Sequence, residues 1–344
     1  MSAADTADRS NDARRERLIA WLHSLPAQHA LDADSIQPAS ADASFRRYFR
    51  VAAGSRSLIV MDAPPDKEDV RPFMHVARLL REAGLNAPDV IESDPAQGYL
   101  LLTDLGRETY LDALDDASAP ALFADATEAL LLWQLATRPG ELPPYDDALL
   151  RRELALFPDW YVARHLGVTL APAQREVLDR TFDRIVASNL AQPTVYVHRD
   201  YMPRNLMVAA PNPGILDFQD AVIGPVTYDL ASLFRDAFVS WDEERVIDWA
   251  IRYWERARRA RLPVGDDFAT FWRDFEWMGL QRHLKVLGIF ARINYRDGKP
   301  HYLADTPRFV KYVREVTRRY DELAPLARLF DELEGVAMRV GYSF

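Results

Sequence analysis

Three oxygen-bearing side chains, Asp200, Asn205 and Asp217, stand beside short apolar runs near Val195, Leu206 and Ile215. The stretch reads Val195-Tyr-Val-His198-Arg199-Asp200-Tyr201-Met202-Pro203-Arg204-Asn205-Leu206-Met207-Val208, followed by Ile215-Leu216-Asp217-Phe218. Transfer of a phosphoryl group from a nucleotide needs one carboxylate to orient the attacking hydroxyl and accept its proton. It also needs hard oxygen ligands to hold magnesium against the phosphates. Asp200 suits the first task, and Asn205 and Asp217 suit the second. Their spacing is that of H-R-D-x-x-x-x-N followed by D-F, with an interposed hairpin short enough to place Asn205 and Asp217 side by side. Strand-end acids also cap helices or close turns, but that account leaves the joint register of Asn205 and Asp217 unexplained.

These residues need elements to position them. Leu18, Ile19, Trp21, Leu22 and Leu25 predict a first helix. Phe45 to Val51 and Ser57 to Asp62 are rich in β-branched and aromatic residues and flank the turn-prone Ala53-Gly54-Ser55, as in a hairpin. Val70 to Ala83 has helical spacing and stops at Gly84, with Pro88 beyond. Asp89 to Ser93 and Tyr99 to Thr103 read as two more strands. From Tyr110 helical periodicity takes over, broken by the three runs already named. The expected fold class is α+β: a flexible tail over 1–12, a small antiparallel-sheet part over 13–105 and a larger, mainly helical part over 106–344.

With 344 residues, 49% of them hydrophobic, the chain can bury a sizeable core. The absence of cysteine excludes disulfides, Cys-ligated zinc, iron–sulfur clusters and thiol nucleophiles, and makes the cytoplasm the expected location. Met1 to Arg17 lacks the apolar core of a signal peptide, and no stretch approaches the roughly 18 apolar residues of a membrane span. A net charge of -10 argues against a dedicated nucleic-acid binder and suits a cationic ligand only weakly. The expected partner is a small molecule, with no nucleic acid, no membrane and no obligatory protein partner.

The segment from His198 to Phe218 resembles the catalytic core of the aminoglycoside phosphotransferase and choline kinase branch of the protein-kinase-like superfamily, and the resemblance covers nearly the whole chain. It implies a protein-kinase-like two-lobe fold with a nucleotide-binding N-lobe, and ATP and Mg2+ as cofactors. It further implies Asp200 as catalytic base, Asn205 and Asp217 as magnesium ligands, His198 as support for the loop, and Met207 and Leu216 as part of the floor under the adenine. Tyr99 to Gly106 resembles the hinge between lobes, where the backbone of Thr103, Asp104 and Leu105 would meet the adenine edge; an ordinary buried strand and turn is the alternative. After Asp217 the chain reaches Gly224-Pro225-Val-Thr-Tyr228-Asp229-Leu-Ala almost at once, leaving no room to dock a peptide. That pattern resembles small-molecule kinases and implies that Asp229 supports the catalytic loop, a plain helix N-cap being the other reading.

Two features depart from the family pattern. The nucleotide loop, Ser40 to Phe49, lacks glycines, which leaves the Ser44 hydroxyl, the backbone near Phe45, and Arg46 or Arg47 to meet phosphates. Met61 stands where the strand lysine belongs, and His75 or a neighbour where its glutamate partner belongs. Losing both is more coherent than stranding one buried charge. With these departures, and with Arg292-Ile-Asn-Tyr295-Arg-Asp-Gly-Lys-Pro-His-Tyr302, the chain resembles the anomeric N-acetylmuramate and N-acetylglucosamine kinases of bacterial cell-wall recycling. That implies an amino-sugar substrate phosphorylated on its C1 hydroxyl. The Arg292–Tyr302 segment interrupts helical periodicity; Tyr295 and Tyr302 suit stacking on a pyranose ring, and Arg292, then Arg204, suit a carboxylate. A surface loop with chance aromatics is the plainer account of it. An aminoglycoside phosphotransferase or other small-molecule hydroxyl kinase, and a non-catalytic nucleotide-binding pseudokinase, remain as alternatives.

Overall fold

The computed structural model describes residues 3–40 and 45–335. The chain packs as two compact units, Met1–Thr109 with Leu206–Asp220, and Tyr110–Asn205 with Ala221–Phe344. In the first unit, α1 (Ala3–Ser24) takes residues 3–12, expected as tail, into its opening turns. Its Leu18 and Leu22 are buried against Ala33 and Ile36 of β1 (Leu31–Ser40) and Val51 of β2 (Arg47–Ala53). Then follow β3 (Arg56–Asp62), α2 (Arg71–Glu82), β4 (Val90–Asp94) and β5 (Tyr99–Thr103). The strands form one antiparallel sheet in the order β1-β2-β3-β5-β4. The β2–β3 hairpin runs from Arg47↔Asp62 to Ala53↔Arg56 and turns at Gly54, whose φ of 62° needs a glycine's freedom.

The second unit opens with α3 (Tyr110–Ala113), α4 (Ala119–Leu135), α5 (Asp147–Leu154), a π-helical segment Phe157–His165, α6 (Pro172–Leu190) and β6 (Thr194–Val197). After a 3-10 turn at Pro203–Asn205 the chain enters the hairpin of β7 (Leu206–Met207) and β8 (Gly214–Ile215), which belongs to the first unit. There the Val208 N–H donates to Glu108 O at 2.9 Å and the Ile215 N–H to Asn86 O at 2.7 Å. The chain returns as β9 (Val222–Pro225), antiparallel to β6, and continues through α7 (Tyr228–Phe234), α8 (Glu243–Arg259), α9 (Phe268–Asp297), α10 (Thr306–Arg319) and α11 (Ala324–Leu333). Helix α9 is the spine of this unit, buried from Phe275 through Gly288. It approaches the Leu156 backbone so closely that a Cβ on Gly288 would stand 2.4 Å from it. Among the described residues, no helix is long and apolar enough to cross a membrane.

Candidate active site

Strand β6 delivers the chain into a loop whose shape is set by Asp229, at the start of α7. The fully buried Asp229 carboxylate accepts the N–H of His198 at 2.7 Å and of Arg199 at 2.9 Å, so it braces the loop instead of capping its own helix. Burial lifts this carboxyl to about 7, against the two N–H donors. Those bonds hold Arg199 at a φ of 75°, a conformation that costs a side-chain-bearing residue on the order of 1–3 kcal/mol. The His198 ring is buried and its Nδ1 accepts the Asp200 N–H at 3.2 Å. Tyr201 is also turned inward, its hydroxyl donating to Ala126 O at 2.8 Å. With both neighbours committed to the core, Asp200 is left half-buried. Asn205 reaches back to the same loop, its Nδ2 donating to Asp200 O at 2.9 Å.

Beneath the loop lies a cluster of ions. Glu153 of α5 accepts from the Arg199 Nη2 at 2.5 Å and stands 3.1 Å from the Lys285 Nζ of α9. Lys285 also donates to the Tyr228 hydroxyl at 3.1 Å, and Tyr145 donates to Glu153. Burial disfavours the Glu153 charge, but Lys285 and Arg199 outweigh it and hold the carboxyl below its ordinary range.

In the first unit, Asp217 has a φ of 62° and accepts from Gln219 Nε2 at 2.8 Å. Phe218 is buried, its ring 4.7 Å from Phe73 of α2, which fixes the Asp217 segment against that helix. Leu105, Met207 and Gly214 are neighbours: a Cβ on Gly214 would meet Leu105 Cδ1 at 3.0 Å and Met207 Cβ at 3.1 Å. Leu216, just beyond β8, is half-buried. The Thr103 N–H donates to Asp89 O and its hydroxyl accepts from the Asp89 N–H, pairing the end of β5 with the residue before β4. Asp104 is a brace for the turn: Arg50 donates to it at 2.5 and 2.9 Å, Ser57 at 2.6 Å and the Gly106 N–H at 3.0 Å. Met61 is fully buried opposite Tyr48, and the His75 Nδ1 lies 3.2 Å from Arg78 Nη2 of its own helix. Phe45 is exposed, and Ser44 lies outside the described residues.

Of the carboxylate and sugar candidates only Arg204 lies in the catalytic loop's sequence; it is exposed, its guanidinium 5.2 Å from the Phe238 ring. The segment expected to interrupt the helix is helical as far as Asp297: Arg292 and Tyr295 sit on the last turns of α9, and the left-handed Gly298 ends it. A C-terminal glycine two turns downstream was the local signal for this. Burial and the nearby Arg296 disfavour the Arg292 charge, and its Nε has no hydrogen-bond partner. Tyr295 lies 3.3 Å from His165 Nδ1, and Tyr302 packs on Phe290 at 5.3 Å.

Residues 35–264 match the phosphotransferase enzyme family. The chain belongs to that family. It is 53% identical over 331 residues to the N-acetylmuramate/N-acetylglucosamine kinase of Pseudomonas aeruginosa, covering 94% of this chain and 98% of that one. It is 48% identical to the enzyme of the same name from Neisseria meningitidis, covering 96% and 99%. Among solved structures it resembles the choline kinase of Cryptosporidium parvum, with a TM-score of 0.61 at 12% identity and coverage of 92% and 99%, which speaks for the fold alone. The α+β, protein-kinase-like architecture expected from the sequence is therefore the one observed.

In this phosphotransferase no group of three or more His, Asp or Glu side chains forms a metal cage among the described residues. Magnesium is ordinarily held by one or two carboxylates together with substrate phosphates, and the oxygen donors of Asn205 and Asp217 fit that habit. The ion cluster went unseen in the sequence, although Lys285 inside the apolar run Leu284-Lys285-Val286-Leu287 was its visible mark. A lysine there is buried, and a buried ammonium needs a carboxylate.

Proposed function

We propose that this phosphotransferase uses ATP to phosphorylate the anomeric hydroxyl of N-acetylmuramate and N-acetylglucosamine, in cell-wall recycling. What carries the reading is the near-full-length identity to two kinases of that name, 53% and 48%. The residues of the loop support it. Asp200 orients the C1 hydroxyl and accepts its proton as that oxygen bonds to the γ-phosphorus and the bond to the β-phosphate oxygen breaks, releasing ADP. Asn205 and Asp217 would hold Mg2+, which when bound draws charge from the phosphates. Asp229, with His198, keeps the Asp200 loop in shape. Arg46, the backbone of Phe45 and of Asp104 to Leu105, and the side chains of Leu105, Met207 and Leu216 serve the nucleotide, with Ser44 and Thr103 in lesser roles. Arg292, Arg204, Tyr295 and Tyr302 serve the sugar. The first unit acts as the nucleotide-binding lobe and the second as the substrate lobe. The protein works in the cytoplasm, without nucleic acid, membrane or obligatory protein partner.

Release of ADP from ATP and magnesium, followed with a panel of N-acetyl sugars and aminoglycosides, tests this. Turnover is expected on the two N-acetyl sugars. Turnover on aminoglycosides alone would make it an antibiotic-modifying kinase, and ATP binding without turnover on any acceptor would make it a pseudokinase.

A further inference from the structure

Lys285 is a buried lysine in the middle of α9. Its Nζ lies 3.1 Å from Glu153 Oε1 and donates to the Tyr228 hydroxyl at 3.1 Å. The same Glu153 oxygen takes the Arg199 guanidinium, through Nη2 at 2.5 Å. Tyr228 precedes Asp229, whose carboxylate takes the Arg199 N–H at 2.9 Å. The contacts close a circuit: Lys285 through Glu153 to the Arg199 side chain, and Lys285 through Tyr228 and Asp229 to the Arg199 backbone. Arg199, the residue before Asp200, is gripped at both ends, and one ammonium joins the two grips. All of these residues belong to the second unit.

Stability is a poor reason for such a circuit. Taking an ammonium, a guanidinium and a carboxylate out of water costs much of what their attraction returns, and apolar residues of similar volume often do as well. Apolar residues would not hold a left-handed residue, Arg199 at a φ of 75°, in one place. Burial disfavours the Lys285 charge, but Tyr228, Glu153 and Asp200 outweigh it against the opposing Arg199, so the ammonium stands in the field of the Asp200 carboxylate. We infer that Lys285 is a positioning residue for the reaction: through Glu153 on one side and Tyr228 on the other it fixes Arg199, and with it the place of Asp200 against the attacking hydroxyl. No contact with nucleotide or sugar is required of it. A shift of the reacting groups by about 1 Å is enough to cost on the order of a hundred-fold in rate.

The inference deepens the kinase reading and rests on it. Steady-state kinetics with ATP, magnesium and N-acetylglucosamine are run on the full chain, on Lys285→Met, Lys285→Arg and Glu153→Gln, and on the variant carrying both Lys285→Met and Glu153→Gln, each well below its melting temperature. Lys285→Met is expected to lower kcat by about ten- to a hundred-fold and to leave KM for ATP and for the sugar within about three-fold. Lys285→Arg should recover part of kcat, since a guanidinium keeps the charge and the donors that Glu153 and Tyr228 need. The double variant should lose little more than Glu153→Gln alone, because both changes act through Arg199. Should Lys285→Met fail to fold, Glu153→Gln carries the test, with kcat lowered at unchanged KM. Unchanged kcat in folded Lys285→Met or Glu153→Gln, a loss that falls on KM instead of kcat, or fully additive losses in the double variant overturns the inference and leaves the kinase reading intact. A wild-type protein with no turnover on any acceptor overturns both.

Discussion

The proposed base, Asp200, is held in place by Asp229 on the loop backbone, His198 on the Asp200 N–H, and Tyr201 in the core. Replacing Asp200 by Asn removes the proton acceptor and keeps the shape. The expected loss in kcat is on the order of 10²- to 10⁴-fold with the melting temperature unchanged, and near wild-type turnover would remove Asp200 from the chemistry. Asp229→Ala acts differently, because it leaves two N–H groups without their acceptor at a loop already strained at Arg199. At about 1–3 kcal/mol for each buried group left unpaired, both stability and kcat should fall, whereas a kcat loss at constant stability would give Asp229 a direct role. Arg292 is the residue to separate the two sugars, since only N-acetylmuramate carries a carboxylate. Arg292→Ala should lower kcat/KM for N-acetylmuramate about ten- to a hundred-fold more than for N-acetylglucosamine, and equal losses would make it structural. The chemistry-bearing residues were readable because their types and spacing are local in the chain. The pairing of Glu153 with Lys285 was not, because it joins α5 to α9 and leaves no local pattern, only a charge in an apolar run.

At the scale of elements, the turn after β5 carries a pH signature. Burial works against the Asp104 charge, but Arg50, Ser57 and the Gly106 N–H hold its pKa below the ordinary 3.8. The stabilisation from a carboxyl lowered in this way is present above the ordinary value and is lost as the pH falls through the lowered one. The stability gap between wild type and Asp104→Asn should therefore be full at neutral pH and shrink below about pH 4, and a gap independent of pH would show that the ion pair with Arg50 is not its source. A second test is steric: Gly288→Ala forces α9 away from the Leu156 backbone, with an expected cost of about 1–3 kcal/mol in urea unfolding, and no cost would mean the two segments are not so closely packed. The hairpin of β2 and β3, helix α2 and strands β4 and β5 were legible from alternation and helix-stop residues. Strand β1 was not, because Asp32, Asp34 and Pro38 break its alternation and its register against β2 shifts twice. As an edge strand it can tolerate a proline that would betray a central one.

At the scale of the whole molecule, the chain divides at Thr109 and Tyr110, four residues beyond the boundary expected at 105, and the hairpin of β7 and β8 belongs with the first unit. Periodicity could not reveal that, since the hairpin is attached by backbone bonds to Asn86 and Glu108, residues remote in sequence. The substrate was legible only through resemblance, because net charge and composition admit an aminoglycoside as readily as an amino sugar. The central claim is that phosphate goes from ATP to the C1 oxygen of an N-acetyl sugar, and nuclear magnetic resonance of the product reads this directly. With N-acetylmuramate, ATP and magnesium, the expected product shows its anomeric proton split by phosphorus and no longer exchanges between anomers. A phosphorus coupling to a C6 proton, or no phosphorylated sugar at all while ATP binds, would contradict it.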